Sequence, residues 1–367
     1  MRKVFEVELA SENGCTELTL PATPCTMLDA LEKLELAEGE TPQWELLRTY
    51  DIGRAFQHLD QGNGTLSELN ALSQRLVQLD ESELTIFEGL AAMEKKPLMQ
   101  PFPLPRLIDL AYSTDCCHLV EGVVTDAQLG RFCAESGFVP DTDGLTDQQF
   151  ELLDFAKIGR EFRQAEGGVF TSGGYVQRHD ELKQVCKTLD LTLQKPDYAI
   201  LAELPDGSRA RLPTPLDKTV VEEPARCVDC VAPALTGLTA MRSTLDLLAN
   251  RLAELEMNEE LTKYKAVLEA TGCDDIPRAL ALADELDRFS LDPEPREPDE
   301  VASGHLKELL PEEDLAALLP NVNLYCYGQK LMEQSGGKLT GYGYVQPVTG
   351  PVQDIGQGQG PEEMRMM

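Results

Sequence analysis

Cys227-Val228-Asp229-Cys230 carries the two-residue spacing of half a zinc knuckle. A structural zinc needs four ligands, and the chain has no second Cys-x-x-Cys. The remaining candidates, Cys116, Cys117 and His118, fall in the other half of the chain. Buried thiols are therefore the expectation, with no metal and no cofactor. Asp60-Gln61-Gly62-Asn63-Gly64-Thr65 begins like a calcium loop, but Gly62 and Gly64 stand where side-chain ligands belong. Asp141-Thr142-Asp143-Gly144 fails in the same way, with Leu145 and Leu152 at ligand positions. Gly336-Gly337-Lys338-Leu339 lacks the first Gly and the hydroxyl of a phosphate loop. His58, His118, His179 and His305 lie in no nucleophile motif. The chemistry legible here is carboxylate charge in bulk, and the chain is expected not to be an enzyme.

The elements that position these groups read as α+β. Val4 to Leu9 and Thr16 to Leu20 alternate around Asn13-Gly14, which predicts a hairpin. A helix is expected from about Met27 to Leu36. Thr65-Leu66-Ser67-Glu68 is a capping box, followed by Leu69, Leu72, Leu76 and Leu79 at helical spacing. Further helices are expected over Glu81 to Met93, near Leu107, and after Thr125-x-x-Gln128 and Thr146-x-x-Gln149. Residues 198–204 and 210–212 predict a second hairpin about Asp206-Gly207, and Leu245 to Leu255 a helix. Asp292 to Glu300, rich in Pro and Glu, is expected to be a loop.

The order repeats. Residues 152–177 and 321–346 align without a gap, placing Gly159 on Gly328, Gly167-Gly168 on Gly336-Gly337 and Tyr175 on Tyr344. Leu20-Pro21 matches Leu212-Pro213, Arg75-Leu76 matches Arg251-Leu252, and Pro105-Arg106 matches Pro277-Arg278. Two related modules, 1–178 and 197–347, are expected. A helical connector at 179–196 should join them, and a disordered tail, 348–367, should follow.

The 367 residues hold 64 Asp and Glu against 32 Lys and Arg, a net charge of −32. Such a field repels nucleic acid and anionic membrane and attracts basic surfaces. Ten cysteines without an export signal point to the cytoplasm. Glu45, Asp51, Asp60, Glu68, Asp80, Glu81 and Glu83 are the candidate partner-binding residues, on helix and loop faces expected to be exposed.

The first module resembles the ArdA-type antirestriction proteins of conjugative elements, which mimic DNA. The resemblance runs through Trp44 to Asp51, a stretch ending in an aromatic–acid pair. It continues through Leu66-Ser67-Glu68-Leu69-Asn70, a helix start, and Asp115-Cys116-Cys117. It closes on Phe155 to Arg160 and Gly168-Val169-Phe170. It implies an elongated α+β protein of small subdomains that blocks the DNA site of type I restriction–modification enzymes. It also implies pairing, as a homodimer or as a pseudo-dimer within one chain. In the second copy Asp246 stands for Asn70 and Gln329 for Arg160. The competing reading is an acidic interaction module of a mobile genetic element with another basic partner.

Overall fold

The computed structural model describes residues 2–36, 40–50, 64–94, 103–140, 144–215 and 222–348. The fold is mixed α+β, with helices on small antiparallel sheets and no barrel. The chain divides into two compact units.

Unit 1 comprises Met1–Ala22 and Leu34–Leu193. It opens with β1 (Phe5–Ala10) and β2 (Cys15–Leu20). After the helix α1 (Pro24–Lys33) comes β3 (Gln43–Thr49), and the sheet order is β2-β1-β3. Phe5, Val7 and Leu9 alternate inward, as a half-buried strand requires. The predicted hairpin is there; β3 was not read in the sequence. α2 (Leu66–Gln78) and α3 (Glu81–Glu94) follow, then α4 (Leu104–Ala111). A second sheet of order β4-β6-β5 is built from β4 (Cys117–Glu121), β5 (Val169–Phe170) and β6 (Gly174–Arg178). Between its strands lie α5 (Asp126–Glu135), α6 (Asp147–Phe150) and α7 (Phe155–Glu166). Thr65, Thr125 and Thr146 cap α2, α5 and α6 as the sequence predicts.

Unit 2 comprises Thr23–Lys33 and Gln194–Met367. α1 therefore packs in unit 2, although the chain on either side of it belongs to unit 1. Thr23 accepts a hydrogen bond from the Thr26 N–H, and Pro24 opens the helix, where a missing N–H costs nothing. The first sheet, β10-β9-β7-β8, contains β7 (Ile200–Glu203), β8 (Arg209–Leu212), β9 (Pro224–Cys230) and β10 (Thr239–Met241). α8 (Arg242–Met257), α9 (Leu261–Thr271) and α10 (Ile276–Asp284) come next. The second sheet, β11-β13-β12, is made of β11 (Phe289–Asp292), β12 (Lys338–Thr340) and β13 (Gly343–Pro347). It encloses α11 (Pro298–Leu309), α12 (Glu312–Leu318) and α13 (Leu324–Ser335) in sequence.

Two expectations are corrected. The segment 179–196 is not a helical connector; it has no regular secondary structure apart from one 3-10 turn at Cys186–Thr188. The Pro- and Glu-rich stretch is not loop throughout, because Glu297 and Glu300 form a capping box and Pro298 starts α11. The predicted disordered tail lies, but for Val348, outside the described residues.

The repeat extends to fine structure at the α7 and α13 helices. α7 and α13 share their boundaries in the sequence alignment, and Asp154 and Asn323 cap them. Both end on a left-handed glycine, Gly167 at φ 71° and Gly336 at φ 69°. A Cβ on Gly159 would meet the Asp126 carbonyl at 1.9 Å, and one on Gly328 the Pro298 carbonyl at 1.7 Å. Both helices thus cross their neighbours at backbone contact. Asn70 binds both backbone groups of Ala22, at 2.8 and 3.1 Å. Its replacement Asp246 still accepts from the Thr214 N–H at 2.6 Å. The Asn-to-Asp change between copies keeps the acceptor and drops the donor, so this position ties backbone in both.

α1 is held in unit 2 by a buried charge cluster. Lys265 is only 5% exposed and donates to Asp29 at 2.7 Å and to Glu32. Burial pulls its pKa down, but the Asp29 and Glu32 carboxylates outweigh burial and hold it above the usual lysine range. The Tyr342 hydroxyl donates to Asp29 at 2.6 Å, and Lys33 pairs with Glu269 at 3.0 Å.

Candidate protein-interaction surface

On the outer face of the β2-β1-β3 sheet, Glu8 lies opposite Glu17 on one side and Glu45 on the other. Alternation along β1 turns Val7 and Leu9 into the core and leaves Glu6 and Glu8 outside. Strand register then lines up Glu17, Glu8 and Glu45 in one row. Glu17 and Glu45 are exposed and Glu8 half-buried. None of the three has an ion pair among the described residues. Neighbouring Glu6 does: it accepts from the Tyr50 hydroxyl at 2.8 Å and lies 3.8 Å from Arg48. Like charges directly opposite one another on a sheet are destabilising. The row therefore costs stability rather than adding to it.

The second copy makes the comparison internal. β7 carries the same bulge, Leu201/Ala202 for Glu6/Val7, so Glu203 occupies the place of Glu8. Its cross-strand partners are Arg209 and Arg226. The Arg226 guanidinium donates to Glu203 at 3.0 Å. One copy presents Glu-Glu-Glu and the other Arg-Glu-Arg at the same three positions. Strands lie about 4.8 Å apart, whereas B-DNA places a phosphate about every 3.4 Å of axis on each strand. The all-glutamate row is thus a dense anionic patch of the same order of spacing. The alternating row flanks its one glutamate with two arginines and carries a net charge of +1.

The other candidate acids are dispersed. Glu45 is in the row, on a strand rather than the expected helix or loop. Glu68 is half-buried, because its Oε2 accepts from the Thr65 N–H at 2.8 Å in the α2 capping box. Asp80 and Glu83 form a reciprocal pair at the start of α3: the Glu83 N–H donates to Asp80 at 2.8 Å and the Asp80 N–H to Glu83 at 3.0 Å. These backbone and Ser82 hydrogen bonds hold the Asp80 carboxyl below its usual range. Glu83 is half-buried and also lies 3.8 Å from Arg75. Exposure was the wrong expectation for Glu68 and Glu83, since capping draws a carboxylate onto the backbone. Glu81 is exposed, with no side-chain hydrogen bond or ion pair among the described residues. Asp51 and Asp60 lie outside the described residues. Glu8 and Glu17 were missed, although the alternation of both strands was read. The signal absent from the sequence was β3, without which no three-strand register exists.

The cysteines of the Cys-x-x-Cys are fully buried on β9. Asp229 between them accepts from the Tyr198 hydroxyl at 2.7 Å and from the Cys230 N–H at 2.9 Å. Burial pushes the Cys230 thiol well up. Among the described residues no three His, Cys, Asp or Glu side chains gather with the geometry of a metal site. No described helix is long and apolar enough to cross a membrane.

No protein-family model matches the chain, and no curated protein matches it.

Proposed function

We propose that the chain is an antirestriction protein that mimics the charge of B-DNA and blocks the DNA-binding site of type I restriction–modification enzymes. The observation that carries this reading is the unpaired Glu17–Glu8–Glu45 row, present in the copy that resembles the ArdA-type proteins and replaced by Arg-Glu-Arg in the other. The net charge of −32 adds long-range steering toward a basic groove. The contacts this reading calls for are carboxylate to Lys or Arg, so binding weakens with salt.

The test is DNA displacement. The protein is titrated into a type I methyltransferase–DNA complex at low and moderate salt, and released DNA is followed. Stoichiometric displacement that fades with salt is expected. The variant Glu8→Gln, Glu17→Gln, Glu45→Gln should lose displacement at least tenfold while its melting temperature holds or rises, since like-charge repulsion is relieved. Displacement unchanged in that variant removes the row from the contact. No displacement from several such enzymes leaves an acidic module with another basic partner.

A further inference from the structure

The repeat allows a second internal comparison, between α5 with α7 in unit 1 and α11 with α13 in unit 2. In unit 1 the space between these helices and their sheet is filled. Leu129, Cys133 and Tyr175 form a small core there, packed by Val120, Phe132, Phe162 and Phe170. In unit 2 the corresponding space is a cavity of about 360 Å³. The equivalences are fixed by structure. Thr125 and Glu297 are both N-caps, and Val120 and Asp292 face Tyr175 and Tyr344 across their sheets. Phe132 thereby becomes Gly304, Cys133 becomes His305, Val120 becomes Asp292 and Phe162 becomes Leu331. Each change removes bulk or adds a polar group. A Cβ built on Gly304 meets nothing within 4 Å. The glycine is not demanded by helix crossing or by backbone conformation; it leaves room.

The lining is asymmetric in charge. Asp292 and Glu308 line the cavity, and neither forms an ion pair among the described residues. No Lys or Arg is among the described residues that line it. Ser335 and Tyr344 meet at 2.6 Å between their hydroxyls, and His305 adds an imidazole. Leu291, Val301 and Leu331 supply apolar wall. Small-molecule sites combine this size and apolar lining with a few polar groups that orient the ligand. Two carboxylates without a cation of their own select positive charge, and the wall selects a hydrocarbon stem. We propose that this cavity binds a small organic cation, an alkyl chain ending in an ammonium or guanidinium. The cationic head would lie toward Asp292 and Glu308, and the stem along Leu291, Val301 and Leu331. The site goes beyond DNA mimicry and does not depend on it.

The probe is n-butylguanidinium, titrated calorimetrically into the full chain in 150 mM NaCl, where diffuse attraction to the acidic surface is screened. One saturable site per chain is expected, with n-butanol and butyrate at least tenfold weaker. Gly304→Phe, which restores the residue of the filled copy, should abolish binding. Glu308→Gln and Asp292→Asn, at exposed side chains, should each weaken it at least fivefold. These two variants decide the matter if Gly304→Phe does not fold. Uptake without saturation, or saturable binding unchanged in Glu308→Gln and Asp292→Asn, overturns the proposal. Equal binding of butyrate overturns it as well.

Discussion

Lys265 concentrates risk in a single residue. A buried charge pair broken from one side leaves the other charge stranded, at a cost of about 3–5 kcal/mol. Lys265→Met should therefore lower stability by about that much in urea unfolding, and the paired change Lys265→Met with Asp29→Leu should recover part of it. A second residue-scale prediction follows from the thiols. Burial pushes Cys117 and Cys133 up to about 11, and raises Cys25 and Cys230 further. In the unfolded chain they ionise near 8.5, about the free value. Between the two, the unfolded state holds fewer protons, so stability is full below about pH 8.5 and falls as pH rises toward 11. The urea midpoint should drop between pH 7.5 and pH 9.5 in reducing buffer. Replacing the buried thiols one at a time with Ala should flatten that slope.

At the scale of elements, helices were legible where a threonine caps them, whereas α11, whose capping box is built on Glu297 and Glu300, was read as loop. Thr65, Thr125 and Thr146 announce α2, α5 and α6 because a cap needs a particular side chain at a particular offset. Gly167 and Gly336, which end α7 and α13 because glycine takes the left-handed φ without a Cβ penalty, were read only as matching positions of the repeat and not as helix ends. β3, β4, β9, β10 and β11 were not read, since a strand in a small sheet is defined by partners far away in sequence. Glu45 shows the cost of that: its place in the row depends on Glu8, which the residues around it do not reveal. The α5–α7 crossing yields a prediction here. Gly159→Ala places a methyl group 1.9 Å from the Asp126 carbonyl, so the helices must separate. Loss of the cooperative thermal transition of this subdomain is expected, visible as lost amide-exchange protection in residues 126–135 and 155–166. Gly144→Ala, where a Cβ meets open space, is the control and should leave protection unchanged.

For the whole molecule, the sequence repeat and the packing units differ by one helix. A reading at 178 and 197 assigns residues 24–33 to the first module, as contiguity suggests. Packing assigns them to the second, through Asp29, Glu32 and Lys33, all of which find partners there. Nothing in the composition of α1 marks this, because its partners are distant in sequence. A chain beginning at Gln194 should accordingly unfold at lower urea than the same unit in the full protein. Adding a peptide of residues 23–33 should raise its midpoint in a saturable way, and the Asp29→Asn peptide should do so more weakly. No effect of either peptide would deny α1 its role in that unit.

The stray helix also bears on inheritance. Tandem copies are ordinarily lost by unequal crossover between their similar stretches. Here a crossover joining the codon of Gly159 to that following Gly328 would excise 169 codons (328 − 159). The shortened gene would still encode α1, with Cys25, Met27 and Asp29 made to be buried, but not Lys265 or Asp229 to receive them. A lineage shedding the second copy would leave a helix of the first without its seat. Packing of this kind can preserve a duplication even where the second copy contributes no binding of its own.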